Sequence, residues 1–391
     1  MATEQAKEIS SRLGKVGGQA VLEGVMMRSG TAVALAVRQP DGGIVLDRSE
    51  FVSARKKHRA LNFPILRGIV NFVEMLKLSY GTLMKSADLL GLEDELAAAP
   101  EGEETTAEDD EKRRKKAERA VKITEAVSLV LGFALAVGLF VVLPVYVAKF
   151  INTYLVPGVD LDSLFAVTSL IEGAVRIVLF IGYMLLMTLL PDMRRTFEYH
   201  GAEHKSVFCY EYGWDMTPEN ARRCTRFHPR CGTSFIFVIL LISILIGAFI
   251  PGSLPKLARI GCKLLLVPLI VGISYEFIMY AGKHDNAFVH IVSAPGLWMQ
   301  RITTKEPSDD QIEVAIAALK AAIPDDFPEM VGVDALDAEG KPVQPAAGEK
   351  STEGEEPTGG EAGEEPTGGE AGEGPTGGEA GEEPTGGTET E

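Results

Sequence analysis

The spacing of apolar residues changes several times along the chain, and each change marks a different kind of element. Val33, Leu35 and Val37 alternate within residues 31–38, and the pattern returns at 44–47 after Pro40-Asp-Gly-Gly43. Period-two alternation broken by turn residues predicts a β-hairpin. Ahead of it, Gly17, Gly18 and Gly24 punctuate the apolar stretch 16–28. That stretch reads as a strand start with a bulge, in preference to a binding loop. From residue 64 to 90 the spacing becomes helical, with Ile65, Ile69, Phe72, Val73, Leu76 and Leu83 recurring. Arg67, Glu74 and Lys77 make this segment too charged to span a membrane. It predicts an amphipathic helix, lying on a bilayer or packed on the hairpin.

Beyond residue 120 long runs become almost wholly apolar. Stretches of about 20 apolar residues, the length that crosses a bilayer, fall near 124–148, within 164–190, and near 233–250 and 260–281. Four transmembrane helices are expected. Residues 112–119 hold six basic residues against one acidic, and 192–232 hold seven Lys or Arg, whereas 149–163 hold one Lys and two Asp. The basic bias places the loop 192–232 and both termini in the cytoplasm of a cell-membrane protein. Lys256 and Arg259, after the third span, run against that bias. Ser308-Asp-Asp-Gln311 forms a capping-box signature that opens a helix to about Ile323.

Charge divides the rest of the chain. Residues 349–391 carry fourteen Glu and one Lys, which leaves only −4 of the net −17 for everything before them. A core without excess positive charge argues against nucleic-acid binding. Four cysteines without framework spacing argue against a disulfide-stapled secreted chain, and residues 1–11 lack a signal-peptide core. The expected order is a mobile leader (1–15), a cytoplasmic hairpin with its amphipathic helix (16–90) and a disordered charged linker (91–119). Two spans (120–191), a cytoplasmic loop (192–232) and two more spans (233–282) follow. Cytoplasmic helices (283–323) precede a disordered tail (324–391), whose later part repeats Glu, Gly, Pro and Thr with a nine-residue period. The fold class is an α-helical integral membrane protein with a small α+β cytoplasmic part.

Candidate chemistry concentrates in the loop 192–232. Glu198-Tyr-His-Gly-Ala-Glu-His-Lys205 contains His200, Glu203 and His204 as H-x-x-E-H. On a helix, residues four apart share a face, so two imidazoles can grip one zinc ion with a carboxylate beside them. Gly201 weakens an isolated helix here. A catalytic zinc needs a third protein ligand and an open position. Glu276, near the cytoplasmic end of the fourth span, is the expected third ligand, and Glu203 the expected general base. A second set, Cys224, His228 and Cys231, offers soft donors for a structural zinc, completed by His200 or His204. Arg230 and Thr233 equally fit a cap on the third span. His284, Asp285 and His290 follow the fourth span and can feed the same site. Glu172 and Arg176, four apart, predict an ion pair within the second span.

Gly17-Gly-Gln-Ala-Val-Leu-Glu-Gly-Val-Met-Met-Arg28 (with Glu23 and Arg28 as its charged residues), Glu198 to Lys205, His228-Pro-Arg-Cys-Gly-Thr-Ser-Phe235 and Ser293-Ala-Pro-Gly-Leu-Trp298 together resemble the YqhQ-like family. These are bacterial multi-pass membrane proteins without an assigned function, described as predicted metal-dependent enzymes. The resemblance runs from about residue 16 to 323, apart from the acidic linker. It implies a membrane protein with a cytoplasmic site, and supplies no substrate. Cys224 lies outside the family motif, which favours His228 and Cys231 as the pair. Two functions are then expected: a zinc hydrolase at the cytoplasmic membrane face, or a non-catalytic scaffold whose loop is held by metal or hydrogen bonds. Expected partners are the lipid bilayer, an unidentified substrate or protein, and a second copy of the chain. A transporter fits less well, because few intramembrane charges offer a pathway.

Overall fold

The structure is a computed structural model, and it describes residues 11–91, 107–155, 165–251, 254–281, 284 and 286–343. Most of the leader, residues 92–106 of the acidic linker and the repeat tail lie outside them. Strands β1 (Val16–Val21), β2 (Gly24–Ser29), β3 (Ala32–Arg38) and β4 (Ile44–Glu50) form an antiparallel meander. Residues 16–28 are therefore a complete hairpin, with a two-residue turn in which Glu23 takes a left-handed φ of 48°. The predicted pair across Pro40–Gly43 is present as β3–β4, with Arg38 opposite Ile44.

Both faces of this sheet are covered, which is why β3 is buried at five successive positions. Ala34 and Ala36 face a core shared with α6 (Pro191–Glu211) and α11 (Asp309–Ala322). Val33, Leu35 and Val37 face the opposite way, against Leu78, Leu83 and Leu89 of α2 (Leu66–Leu89). The amphipathic helix thus packs on the sheet, the second of its two expected placements, with the short helix α1 (Ala54–Lys57) just before it. The capping box at Ser308 and Gln311 is formed in both directions and opens α11.

Order extends past residue 324, where the sequence predicts a disordered tail. Strand β5 (Ala335–Leu336) pairs with β4 and closes the sheet edge. Met330, Val333 and Leu336 are buried in the same core as α11, and three such anchors suffice to hold the segment. The predicted linker also ends early. Helix α3 (Ala107–Val137) begins within it, because Glu, Lys, Arg and Ala are strong helix formers.

Among the described residues, the helical layer contains three helices long and apolar enough to cross a membrane. The first joins the end of α3, a π-helical turn (Gly138–Val142) and α4 (Leu143–Phe150) within residues 119–155; the others are α5 (Phe165–Met187) and α9 (Lys256–Ala281). The expected third span, α8 (Gly232–Gly247), has 16 residues. At 1.5 Å per residue it measures about 24 Å, short of a ~30 Å hydrocarbon core. It nevertheless runs the depth of the layer. It starts at Cys231, and its last residue, Gly247, lies against Ser169 in the first turns of α5. Helix α10 (Ala287–Thr303) lies across the start of α8, where a Cβ on Gly296 would be 2.6 Å from the Ser234 Cα. That close crossing accounts for the glycine of the Ser293–Trp298 motif.

Candidate metal centre

Helix α6 supplies the two histidines because it is clamped on both sides. On one side, a Cβ on Gly18 of β1 would lie 2.8 Å from Cγ of Glu203, so glycine lets the strand backbone reach the helix. On the other, a Cβ on Gly201 would run into the backbone carbonyl of Lys305. The Lys305 N–H donates to the Phe197 carbonyl at 2.8 Å, fixing that segment along the helix. Glu23 reaches from the β1–β2 turn to Arg195, and Tyr199 donates to it at 3.2 Å. Burial beside the Glu23 carboxylate pushes the Tyr199 phenol pKa well above its ordinary value.

The imidazoles of His200 and His204 stand with ring centroids 4.4 Å apart. Nδ1 of His200 donates to the Thr303 carbonyl at 2.8 Å, and Nδ1 of His204 to the Arg226 carbonyl at 2.5 Å. A carbonyl only accepts, so in the neutral rings both protons sit on Nδ1 and both Nε2 atoms present lone pairs. Cys231, the N-cap of α8, brings its Sγ to 3.2 Å from Nε2 of His200. One donor atom from each of His200, His204 and Cys231 lies within 4.8 Å of the others. Donors on one tetrahedral zinc are about 3.5 Å apart, so small side-chain shifts complete this set. Holding each ligating imidazole through its other nitrogen is the usual outer arrangement of a metal histidine.

Oε2 of Glu203 lies 3.6 Å from Nε2 of His204 and 3.9 Å from Nε2 of His200. Glu203 and His204 are buried, whereas His200 and Cys231 are half-buried. The centre therefore opens to solvent on the His200–Cys231 side.

Glu276 does not join this group. Its carboxylate is bound by the Arg67 guanidinium and by the Ile65 N–H at 3.2 Å, which ties α9 to the start of α2. The third donor beside the histidines is Cys231. The alternative set of Cys224, His228 and Cys231 is likewise not assembled. Cys224 is buried beside Cys209, whose hydrogen bond holds the Cys224 thiol pKa down and raises its own. His228 lies 5.5 Å from His204 between ring centroids, but its Nε2 is turned to Glu211, 3.8 Å away. Burial would raise the Glu211 pKa. Hydrogen bonds from His228 and the Gly14 N–H, together with the Arg230 charge, outweigh it and leave the pKa below the ordinary value. Arg230 thus pairs with Glu211. Arg28 lies on the other side of the sheet, 4.6 Å over the Phe51 ring. His284 stacks on Tyr280, exposed, and is outside the group.

Three contributors were not expected from the sequence. The carbonyls of Thr303 and Arg226 orient the rings, and any residue carries a carbonyl. Gln300 is the third. Buried on α10, it accepts from the His228 N–H at 2.7 Å and donates to the His228 carbonyl at 2.8 Å, so it fastens the Cys231 loop. Its signal was present, since a glutamine within an apolar helix needs partners when buried.

Comparison with known proteins places the chain. The profile of a family described as "Protein of unknown function (DUF1385)" matches residues 63–325. The chain is 32% identical over 326 residues to "Uncharacterized protein YqhQ" of Bacillus subtilis (strain 168), covering 82% of this chain and 93% of that protein. No solved structure matches it. The chain belongs to this DUF1385, YqhQ-like family.

Proposed function

We propose that this family member is a membrane-embedded, zinc-dependent hydrolase whose site faces the cytoplasm. The observation that carries the reading is the fixed tautomer of two histidines whose Nε2 lone pairs lie beside the Sγ of Cys231. His200, His204 and Cys231 would hold the ion and leave one position open toward solvent. A zinc ion held by these residues would supply Lewis acidity for a hydrolytic step near neutral pH. Glu203, fixed against β1, takes the proton of the attacking water and returns it to the leaving group. The carbonyls of Thr303 and Arg226 keep the imidazoles in register during that transfer.

The membrane part of the reading rests on parity. Strands β1–β4 precede the first long apolar helix, and α11 and β5 follow the last, yet they share one sheet and one core. Both ends must lie on one side, so the number of crossings is even. Three long helices then require α8 to cross as a fourth, with local thinning of the bilayer or burial in the bundle making up its length. The seven basic residues of 192–232 favour the cytoplasm for that side.

A second reading has its own support. Glu203 is close enough to both histidines to close the shell as a fourth ligand, giving a structural site in a docking protein. Cobalt substitution of the full chain in detergent separates the two. An open site gives a visible spectrum that titrates with pH, and Glu203→Gln shifts that titration while metal is retained. A closed site gives a pH-invariant spectrum, and Glu203→Gln loosens the metal. Wild-type protein without stoichiometric metal sinks both.

A further inference from the structure

We infer a second, anion-binding site at the opposite end of the helical layer. Glu172 of α5 lies one to two turns from the helix start, and fifteen residues separate it from Met187, where α5 gives way to α6. At 1.5 Å per residue that is about 22 Å from the metal-centre side. Here Lys263 is ion-paired to Glu172, and Nη2 of Arg259 lies 3.2 Å from the other carboxylate oxygen. Arg176, one turn further along α5, donates Nε to the Phe140 carbonyl at 2.8 Å and Nη1 to Ser243 at 3.1 Å. Phe140 lies in the π-helical turn, where a widened hydrogen-bond pattern leaves carbonyls free to accept.

Among the described residues, three cations therefore surround one carboxylate. Glu172 and Arg259 are both nearly fully buried, at 2% and 5% exposure. Nε and Nη2 of Arg259, the buried hydroxyl of Ser169 and Oε1 of Glu172 have no hydrogen-bond partner, so the unpaired N–H groups outnumber the one unpaired carboxylate oxygen. The Nη2 contact to Glu172 is an ion pair off the line of a hydrogen bond. Buried donors in excess of acceptors are costly unless something fills them. A cavity of about 190 Å³ adjoins the cluster, lined by Ser169, Glu172, Arg176, Ser243 and Lys263 on its polar side and by Leu240, Ile250 and Ile270 among its apolar walls. Drug-sized ligands need about 300–1,000 Å³, so this space fits a compact group.

The missing component is an anion of phosphate size, either free or as the headgroup of a lipid. The apolar walls suit a headgroup entering from the side, and the lipid source alone rests on the membrane reading. The test uses the full chain purified in detergent, with thermal unfolding followed against inorganic phosphate, phosphatidic acid in mixed micelles, and phosphatidylcholine as control. Phosphate or phosphatidic acid raises the wild-type midpoint above the control. Lys263→Met weakens the apparent affinity roughly tenfold or more, as loss of a charge-assisted hydrogen bond does. Glu172→Gln strengthens it, because the competing carboxylate is gone, even as it lowers the midpoint without anion. Response to phosphate alone identifies a free anion, and response to phosphatidic acid alone identifies a lipid. No shift with either, or an unaltered response in both variants, overturns the site. Native mass spectrometry of the wild type gives a second readout that needs no variant: a retained phosphate or lipid adduct supports the site, and bare protein opposes it. Alkaline extraction from membranes tests the membrane reading separately, and release there leaves the phosphate arm standing.

Discussion

The two buried polar clusters differ in what their surroundings leave over. At the candidate metal centre each imidazole spends its N–H on a backbone carbonyl, and what remains is a set of lone pairs and a thiol. At the far cluster one carboxylate and a few neutral acceptors face three cations, and what remains is a surplus of N–H donors beside one unpaired oxygen of Glu172. The first surplus calls for a cation and the second for an anion. The sign of an absent ligand is thus legible in the hydrogen-bond inventory before any ligand is placed.

Removing a metal donor should separate the clusters most sharply. His204→Ala is expected to take bound zinc from one per chain to none, and metal analysis of the purified protein reads this directly. Cys231→Ser should lose most of the zinc while leaving the phosphate response intact, since the affected residue lies at the opposite end of α8. Loss of both ligands from one substitution would mean that the clusters are not independent. Gly201→Ala comes next. Helix propensity favours alanine by roughly 1 kcal/mol, yet the Lys305 carbonyl occupies the space, and overpacking typically costs about 1–3 kcal/mol. A lowered unfolding midpoint is expected, and a raised one would show that the clamp around α6 is loose. The smallest effect belongs to pH. The folded Glu211 has a pKa below its ordinary 4.5, so it contributes stability above that value and loses it as pH falls through the lower, folded-state value. Glu211→Gln should flatten that acid limb in a denaturation series, with little change at neutral pH in the slope against pH.

Much of this was readable in the chain, and the exceptions share a cause. Alternation in β3, the helical stripe of α2, the capping box and the H-x-x-E-H spacing are local patterns, and local patterns survive folding. Glu276 was expected to be a zinc ligand because it was a carboxylate near the membrane's inner edge. Arg67, more than 200 residues earlier, binds it instead. No local signal announces such a partner. Cys231 was expected with Cys224 and His228 as well as with a histidine of α6, and only the last holds: the folded backbone turns His228 toward Glu211 and leaves the thiol beside His200. Strand β5 is two residues long, below what alternation can reveal. At the charge cluster a Glu172–Arg176 ion pair was expected, but Glu172 pairs with Lys263 and Arg259, while Arg176 binds the Phe140 carbonyl and Ser243. Arg259, with Lys256, looked like a flaw in the charge bias of a loop, when its position on α9 takes it to Glu172, and Lys263, one turn on, gave no signal of its own.

The sheet's closing strand also governs when this fold can be completed during synthesis. Strands β1–β4 leave the ribosome first, but α11 and β5, which cover one face and one edge, emerge some 260 residues later. At about 5–20 residues per second, that is roughly 13–50 s of synthesis during which the hairpins wait half-covered. In the proposed membrane topology all the apolar helices would be inserted in that interval, and an odd number of crossings would leave the two halves of the sandwich on opposite sides of the bilayer. The histidine helix would then lack the α11 layer that packs over it. On that reading, assembly of the proposed metal centre would act as a checkpoint on topology: only a correctly threaded chain could complete it.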